Sequence, residues 1–412
     1  MIYPLIVSTS DMEGGAARSA YRLHAGFQSI GVTSKMVVRA KLSQNKDVFV
    51  QRSALTKLGP VMNNLPLRKY PNRDRTLFSS QWFPDAIASS VQAINPDIIN
   101  MHWIANGFLR IETLKLFKQP LVWTLQDMWP MTGGCHYSAG CDRYQEFCGN
   151  CPQLNSNCEQ DLSRQIWQRK HQAWQSLNLT IVTPSHWMTQ CVKASALFKN
   201  LRVETIPFCL DTEIYRPHEK SIARQVLNLP QDKKIIVFGA LAATSDKRKG
   251  FDLLVDALRK LSYTEMAADV EVAVFGASAP EKPIDLGFKV HYLGHFHDDL
   301  SLSLIYSAGD VMIVPSLQES FGQTASEALA CGTPVAAFNA TGLMDIIDHQ
   351  HTGYLAQPYS VEDLAQGIAW ILSDSDRLVN LVANARIKAI QKFSLHLQAE
   401  KYVRLFEDLV KN

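Results

Sequence analysis

A chain of 412 residues is longer than one hydrophobic core usually supports, so two domains of about 200 residues each are expected. Its 46% hydrophobic and 19% charged residues suit a globular enzyme, and 41 Lys and Arg against 39 Asp and Glu leave a net charge of +2, which gives no electrostatic case for a nucleic-acid partner. No apolar run reaches the length of a membrane span.

The chain opens Met1-Ile-Tyr-Pro-Leu-Ile-Val, which has no basic flank and leads into a turn. It reads as a first strand (Leu5 to Val7), not a secretion signal, and the cytoplasm is the expected compartment. Gly14-Gly15 follow the turn, and Ala20, Leu23, Phe27 and Ile30 then fall at helical spacing before Gly31 and a second strand at Met36 to Val38. The result is a βαβ unit with two glycines at its ligand-facing turn. They suit either an ordinary tight turn or the close approach of a ligand to backbone.

From residue 41 to 95 the pattern is irregular. Leu67 to Arg75 and then Trp82-Phe83-Pro84 mix basic and aromatic residues. The run reads as a solvated loop, or as a surface for a pyrophosphate or for peripheral contact with anionic lipid head groups at the inner face of a membrane. Two strands come next, Asp97 to Asn100 leading to His102, and Leu121 to Leu125 leading to Gln126-Asp127. Both set polar groups at strand carboxyl ends. His102 and Asp127 are the titratable candidates, with a buried histidine as the other reading of His102. Gln126 can hydrogen-bond a sugar hydroxyl but cannot take a proton near neutral pH.

Five of the 8 cysteines lie between Cys135 and Cys158. Cys135-x5-Cys141-x6-Cys148-x2-Cys151 is a four-thiol set, for which a structural zinc and free thiols are the two readings. Cys191, Cys209 and Cys331 look like scattered core residues. A strand at Thr180 to Thr183 and another at Val203 to Pro207 close the first domain, with Phe208 to Pro217 as the linker.

The second domain begins with a strand at Lys234 to Phe238. Lys247-Arg248-Lys249-Gly250 then opens a helix whose inward residues are Phe251, Leu254, Leu258 and Leu261. Cations at a helix start are badly placed for the helix dipole, so the cluster suggests a bound anion, against the alternative of a solvated loop. Strands at Val270 to Phe275 and Val290 to Leu293 end in Gly276 and Gly294, which would let a nucleobase approach the backbone. Asp310 to Phe338 reads strand, loop, helix, strand, the helix (Gln323 to Ala330) being closed by Gly332 and Pro334. Its mouth, Phe321-Gly322, presents backbone N–H groups suited to a phosphate. Glu319 in the loop and Glu327 in the helix suit sugar and ribose hydroxyls; the other reading is two solvated carboxylates. Asp374 to Asp376 falls in a helix connection and is not expected to bind metal.

Glu319-Ser-Phe-Gly-Gln-Thr-Ala-Ser-Glu327, followed by Ala-Leu-Ala-Cys-Gly-Thr-Pro-Val, resembles the E-x7-E segment of retaining glycosyltransferases, closest to glycosyltransferase family 4. The resemblance implies an α/β chain of the GT-B fold, with two facing Rossmann-like domains. These would span 1–207, with a Cys-rich insertion at about 130–160, and 208–385, with a C-terminal helix (386–412) crossing back to the first. It further implies transfer of a hexose from a nucleotide-sugar donor to a glycan or lipid-linked acceptor, with no cofactor for catalysis.

Lys249 matches the family's Lys-Gly grip on the donor diphosphate. Arg248 stands in for a family Arg whose place is taken by Ala240. Phe321-Gly322 and Gly14-Gly15 would meet the donor phosphates, Glu327 the ribose, Glu319 the donor sugar and His102 the acceptor. Gln126 replaces the histidine of the family's His-Asp pair, leaving Asp127. Thr-Leu-Gln-Asp-Met-Trp-Pro-Met-Thr-Gly-Gly-Cys-His-Tyr and Cys-Gly-Asn-Cys-Pro-Gln-Leu are similar to a branch found in bacterial exopolysaccharide clusters, like the colanic-acid glycosyltransferases. Gln126 and the missing Arg leave an alternative, a GT-B sugar-nucleotide-binding protein with impaired turnover.

Overall fold

The structure is a computed structural model that describes residues 2–239, 246–279, 284–296 and 298–411. The chain forms two compact units, one of Met1–Pro207 with Gln398–Asn412 and the other of Phe208–Leu397.

The first unit is built on a seven-stranded sheet. Its strands are β1 (Pro4–Ser10), β2 (Lys35–Ala40), β3 (Val48–Val50), β4 (Ile98–Met101), β5 (Leu121–Thr124), β6 (Leu179–Thr183) and β7 (Val203–Thr205), in the order β3-β2-β1-β4-β5-β6-β7. Every described pairing in it is parallel. Residues of β1, β4, β5 and β6 are buried throughout. Strands covered on both faces explain why their sequences run apolar instead of alternating. Trp123, Trp129, Trp174 and Phe198 pack as an aromatic core beside the sheet. The terminal helix Leu395–Lys411 sets Tyr402 and Phe406 against Phe27, with ring centroids 6.3 and 5.7 Å away.

The second unit carries a six-stranded sheet. Its strands are β8 (Lys234–Gly239), β9 (Val270–Phe275), β10 (Val290–Gly294), β11 (Val311–Val314), β12 (Val335–Phe338) and β13 (Gly353–Ala356), in the order β10-β9-β8-β11-β12-β13 and again parallel. Both sheets are thus Rossmann-like and doubly wound. In each, the strand order reverses at one point: β1 beside β4 in the first, β8 beside β11 in the second. Sheets of this kind bind ligands at the carboxyl ends of the strands flanking that reversal.

The expected return to the first unit at 386 is displaced. The helix Ser375–Phe393 buries Ala385, Ala389 and Phe393 in the second unit's core, and Arg386 donates to the carbonyls of Thr212, Tyr215 and Ala330. That helix is one amphipathic stretch with no break at 386, and the return begins at Gln398.

Candidate functional site

The reversal point of the second unit gathers six of the predicted residues, Arg248, Lys249, Glu319, Phe321, Gly322 and Glu327. After β11 the chain turns through Pro315 to Gly322 and enters the helix Gln323–Ala330. Gly322 has φ 111°, and a Cβ there would lie 2.6 Å from Leu343 Cδ2, so this corner needs glycine. The Phe321 ring is buried, edge-on to Phe208 at 5.2 Å and Phe393 at 5.6 Å. The side chain is therefore an anchor, and it is the backbone of Phe321-Gly322 that stands at the helix mouth.

Beside this loop lies the basic segment. Asp246 accepts from the Arg248 backbone N–H at 3.0 Å and from its guanidinium at 2.8 Å, and Arg248 Nη1 donates to the Gln318 carbonyl at 3.1 Å. Lys249 Nζ donates to Glu319 Oε1 at 2.6 Å, with Ser316 Oγ on the same oxygen at 2.9 Å and Arg248 Nη1 4.0 Å from Oε2. Burial pushes the Glu319 carboxyl up, but the charges of Lys249 and Arg248 outweigh it and hold the group below its ordinary range. Glu319 is thus an ionised carboxylate whose task includes aiming Lys249. The solvated-loop reading of the basic cluster does not describe these two side chains, which are only 25% and 20% exposed. Ala240 and Leu241 lie outside the described residues.

Gly250 locks the two segments together. It has φ 66°, and an added Cβ would fall 2.0 Å from the Pro315 carbonyl oxygen, while Leu317 N–H donates to the Arg248 carbonyl at 2.8 Å. Gly250→Ala is expected to destabilise the second unit by about 1–3 kcal/mol through backbone strain and to release Lys249 from Glu319. Its melting temperature, read beside that of Gly14→Ala, checks this; Gly14 also has positive φ (83°), but its Cβ would meet nothing within 4 Å.

Glu327 lies further along the helix and is 5% exposed, with its Oε2 accepting from Tyr306 Oη at 2.8 Å. Gly294 ends β10 with φ 82° and open space where a Cβ would go. It ends the edge strand of the sheet, with β9 and β8 between its strand and β11.

In the first unit, the reversal point brings together residues far apart in the chain. Ser19, on the helix Gly14–Ser29, donates to Gln126 Oε1 at 2.8 Å, and Gln126 Nε2 lies 3.0 Å from His102 Nδ1. His102 Nε2 lies 2.9 Å from Asn100 Oδ1, and Asn100 Nδ2 donates to Thr124 Oγ1 at 3.0 Å. Thr124 Oγ1 meets Tyr402 Oη of the terminal helix at 2.9 Å. Because the Asn100 amide nitrogen donates, its oxygen accepts, which places the imidazole proton on Nε2 and leaves Nδ1 to accept from Gln126. Burial pushes His102 down to about 3. His102 is buried, in keeping with the second of its two readings, and is held in this network by the side chains of Asn100 and Gln126.

The sign of the pH effect follows. Between about 3 and 6.5 the unfolded chain protonates this histidine and the folded chain does not, so stability falls as pH drops through that window. His102→Gln is expected to flatten the acid limb of a stability-against-pH curve, as measured by urea unfolding.

Asp127 is also engaged. Its Oδ2 accepts from His136 Nδ1 at 2.6 Å and Trp103 Nε1 at 2.7 Å, and its Oδ1 from the Trp129 backbone N–H at 2.9 Å. His136 Nε2 meets Ser79 Oγ at 2.9 Å, and all four side-chain groups in this chain are buried or nearly so. His136 carries no local sequence signal for this role, since Asp127 and Ser79 reach it only through the fold. Asp127 is the hub of this cluster, with both oxygens taken, and is not a free base.

All eight cysteines are free, and among the described residues no three or more His, Cys, Asp or Glu side chains are placed to hold a metal ion. Burial raises the thiols of Cys135 and Cys151 and pushes Cys148 up to about 12, and Cys148 Sγ accepts from the Gly133 N–H at 3.1 Å. Cys141, the fourth of the set, is half-buried and free. Nearby Lys170 is fully buried over the Trp129 ring at 3.6 Å and donates to the Thr132 carbonyl at 2.9 Å, filling the space with its own contacts.

Residues 219–388, which include Arg248, Lys249, Glu319 and Glu327, match the family model for glycosyl transferases group 1. An uncharacterized glycosyltransferase of Methanocaldococcus jannaschii is 30% identical over 46% of this chain and 48% of its own length. A D-inositol 3-phosphate glycosyltransferase of Corynebacterium aurimucosum is 25% identical over 76% of this chain and 72% of its own. The chain spans about half the length of most of the curated relatives it matches. Among solved structures, the sucrose-phosphate synthase of Thermosynechococcus elongatus superposes with TM-score 0.70 at 20% identity over 99% of each chain. Anabaena HepE in complex with UDP and glucose gives 0.66 at 17% over 99% of this chain and 100% of that one. At such identities the likeness establishes the fold, which is that of the GT-B glycosyltransferases.

Proposed function

We propose that this chain is a retaining glycosyltransferase that moves a hexose from a nucleotide-sugar donor to an acceptor hydroxyl on a glycan or lipid-linked saccharide. The observation that carries the reading is the pairing of Lys249 with Glu319 at 2.6 Å beside the helix mouth at Gly322, at the reversal point of the second unit. The group 1 match over the same residues supports it, and the UDP and glucose in the HepE structure are the kind of ligand it calls for.

In this reading the donor diphosphate takes its charge balance from Lys249 and Arg248 and hydrogen bonds from the helix mouth. Glu319 and Glu327 hold the sugar and the ribose. The bond from the sugar's anomeric carbon to the phosphate oxygen breaks, and the acceptor oxygen bonds to the same face of that carbon. The acceptor's proton passes to the departing phosphate oxygen. A route of this kind asks little of a protein base, which suits a first unit whose Gln126 cannot take a proton and whose His102 is neutral and buried. Its main requirement is electrostatic stabilisation of the leaving group.

Gln126, together with Ala240 at the place of the family Arg, favours a second reading, a protein that binds the sugar nucleotide without turning it over. The two are separated by incubating the full chain with UDP-, GDP- and ADP-sugars and a panel of saccharide acceptors. Release of nucleoside diphosphate, with the product's anomeric configuration retained by NMR, supports the transferase. Inversion removes the retaining assignment, and tight nucleotide binding with no release supports the binder.

A further inference from the structure

Glu327 has a partner that no motif points to. Tyr306, on the helix Asp299–Ala308, is 1% exposed and donates through its Oη to Glu327 Oε2 at 2.8 Å. The ring is held from several sides. Phe275 meets it edge-on at 5.5 Å and Tyr215 lies tilted at 6.4 Å. Its carbonyl accepts from Thr333 Oγ1 at 2.6 Å, and Tyr215 is itself fixed by donating to Asp299 Oδ1 at 2.9 Å.

A buried phenol must place its O–H on some acceptor, and here that acceptor is one oxygen of a carboxylate at the candidate site. Burial, followed by the charge of Glu327, pushes the Tyr306 phenol well above its usual range, so it remains a donor at any physiological pH. The last torsion of a Glu side chain is broad and has no strong preference of its own. A rigid donor on Oε2 supplies that preference.

We propose that Tyr306 is a positioning residue for nucleotide recognition, fixing the Glu327 carboxylate in the orientation that accepts ribose hydroxyls. This rests on the reading of Glu327 given above. It also makes the selection of ribose over deoxyribose depend on a side chain from another helix, 21 residues earlier in the chain.

Calorimetric titration of the full chain with UDP, GDP and ADP first identifies the tightest binder. That nucleotide and its 2′,3′-dideoxy form are then titrated into wild type, Tyr306→Phe, Glu327→Gln and the double variant. Tyr306→Phe is expected to weaken the ribonucleotide by about tenfold, the scale of one hydrogen bond to a charged group, and to leave the dideoxy form within about twofold. In the Glu327→Gln background the extra loss should vanish, since the residues act as one unit.

Equal weakening of both nucleotides, or an undiminished effect in the double variant, would show a merely structural tyrosine and overturn the proposal. If Glu327→Gln leaves the preference for ribose intact, the reading of Glu327 fails and the proposal falls with it. If Glu327→Gln removes the preference and Tyr306→Phe does not, only the proposal falls. Absence of binding by all three nucleotides overturns both. Should Tyr306→Phe not fold, Glu327→Asp draws the carboxylate one methylene back from Tyr306 with its charge kept. It is expected to give the same ribose-selective loss, and unchanged ribose preference there overturns the proposal.

Discussion

Lys249→Ala is expected to lower sugar transfer by a factor on the order of 10² to 10³, the usual cost of removing one donor aimed at developing negative charge. The side chain is 20% exposed and is not part of the hydrophobic core, so the variant should fold. Its loss does leave a mark on Glu319. With Lys249 gone, Arg248 Nη1 at 4.0 Å is the remaining cation on that buried carboxylate among the described residues. Burial then dominates, and the carboxyl should titrate higher than in wild type. The double variant Lys249→Ala/Glu319→Gln removes the stranded charge. It should recover stability without recovering transfer, as read by thermal melting and by a nucleotide-release assay on the same samples.

The second large effect belongs to Glu327. Glu327→Ala removes the group assigned to the ribose and also deprives the Tyr306 phenol of its acceptor in a fully buried site. An orphaned buried donor costs about 1–3 kcal/mol, so this variant should melt earlier as well as bind nucleotide at least tenfold less tightly. Glu327→Gln keeps an oxygen for Tyr306 and should restore most of the stability while leaving nucleotide affinity low. Equal nucleotide affinity in wild type and both variants would take Glu327 out of the site.

The two units differ in how much of them the sequence exposes. The second unit's site comes from short segments: residues 246–250 supply the cations and 315–327 the loop, helix mouth and both carboxylates, so local spacing and turn residues reveal it. In the first unit the contacts that decide behaviour are long-range. Gln126 meets Ser19 from 107 positions away and Thr124 meets Tyr402 from 278, distances over which no local pattern carries information. His102 looked titratable because a lone histidine at a strand end gives no sign of how deeply it will be buried. Asp127 looked free because its partners, His136 and Trp103, flank it on separate segments. Tyr306 was invisible for the same reason: a tyrosine on an amphipathic helix reads as core, and only the fold sets it against Glu327.

Cys135 and Cys148 fold beside the fully buried Lys170, a neighbour that cysteine spacing does not reveal. The boundary at 386 failed because the helix Ser375–Phe393 keeps its apolar face through that point and the crossing comes only after the turn at Ser394.

The account stands on an anion grip made by Lys249 and the helix mouth at Gly322, and the affinity gap between a nucleoside diphosphate and its nucleoside monophosphate reads that grip without any acceptor. Titrating the full chain with both should show the diphosphate binding at least tenfold more tightly, and Lys249→Ala should close most of that gap while leaving the monophosphate nearly unchanged. A gap of the same size in Lys249→Ala, or no gap in the wild-type chain, would contradict it.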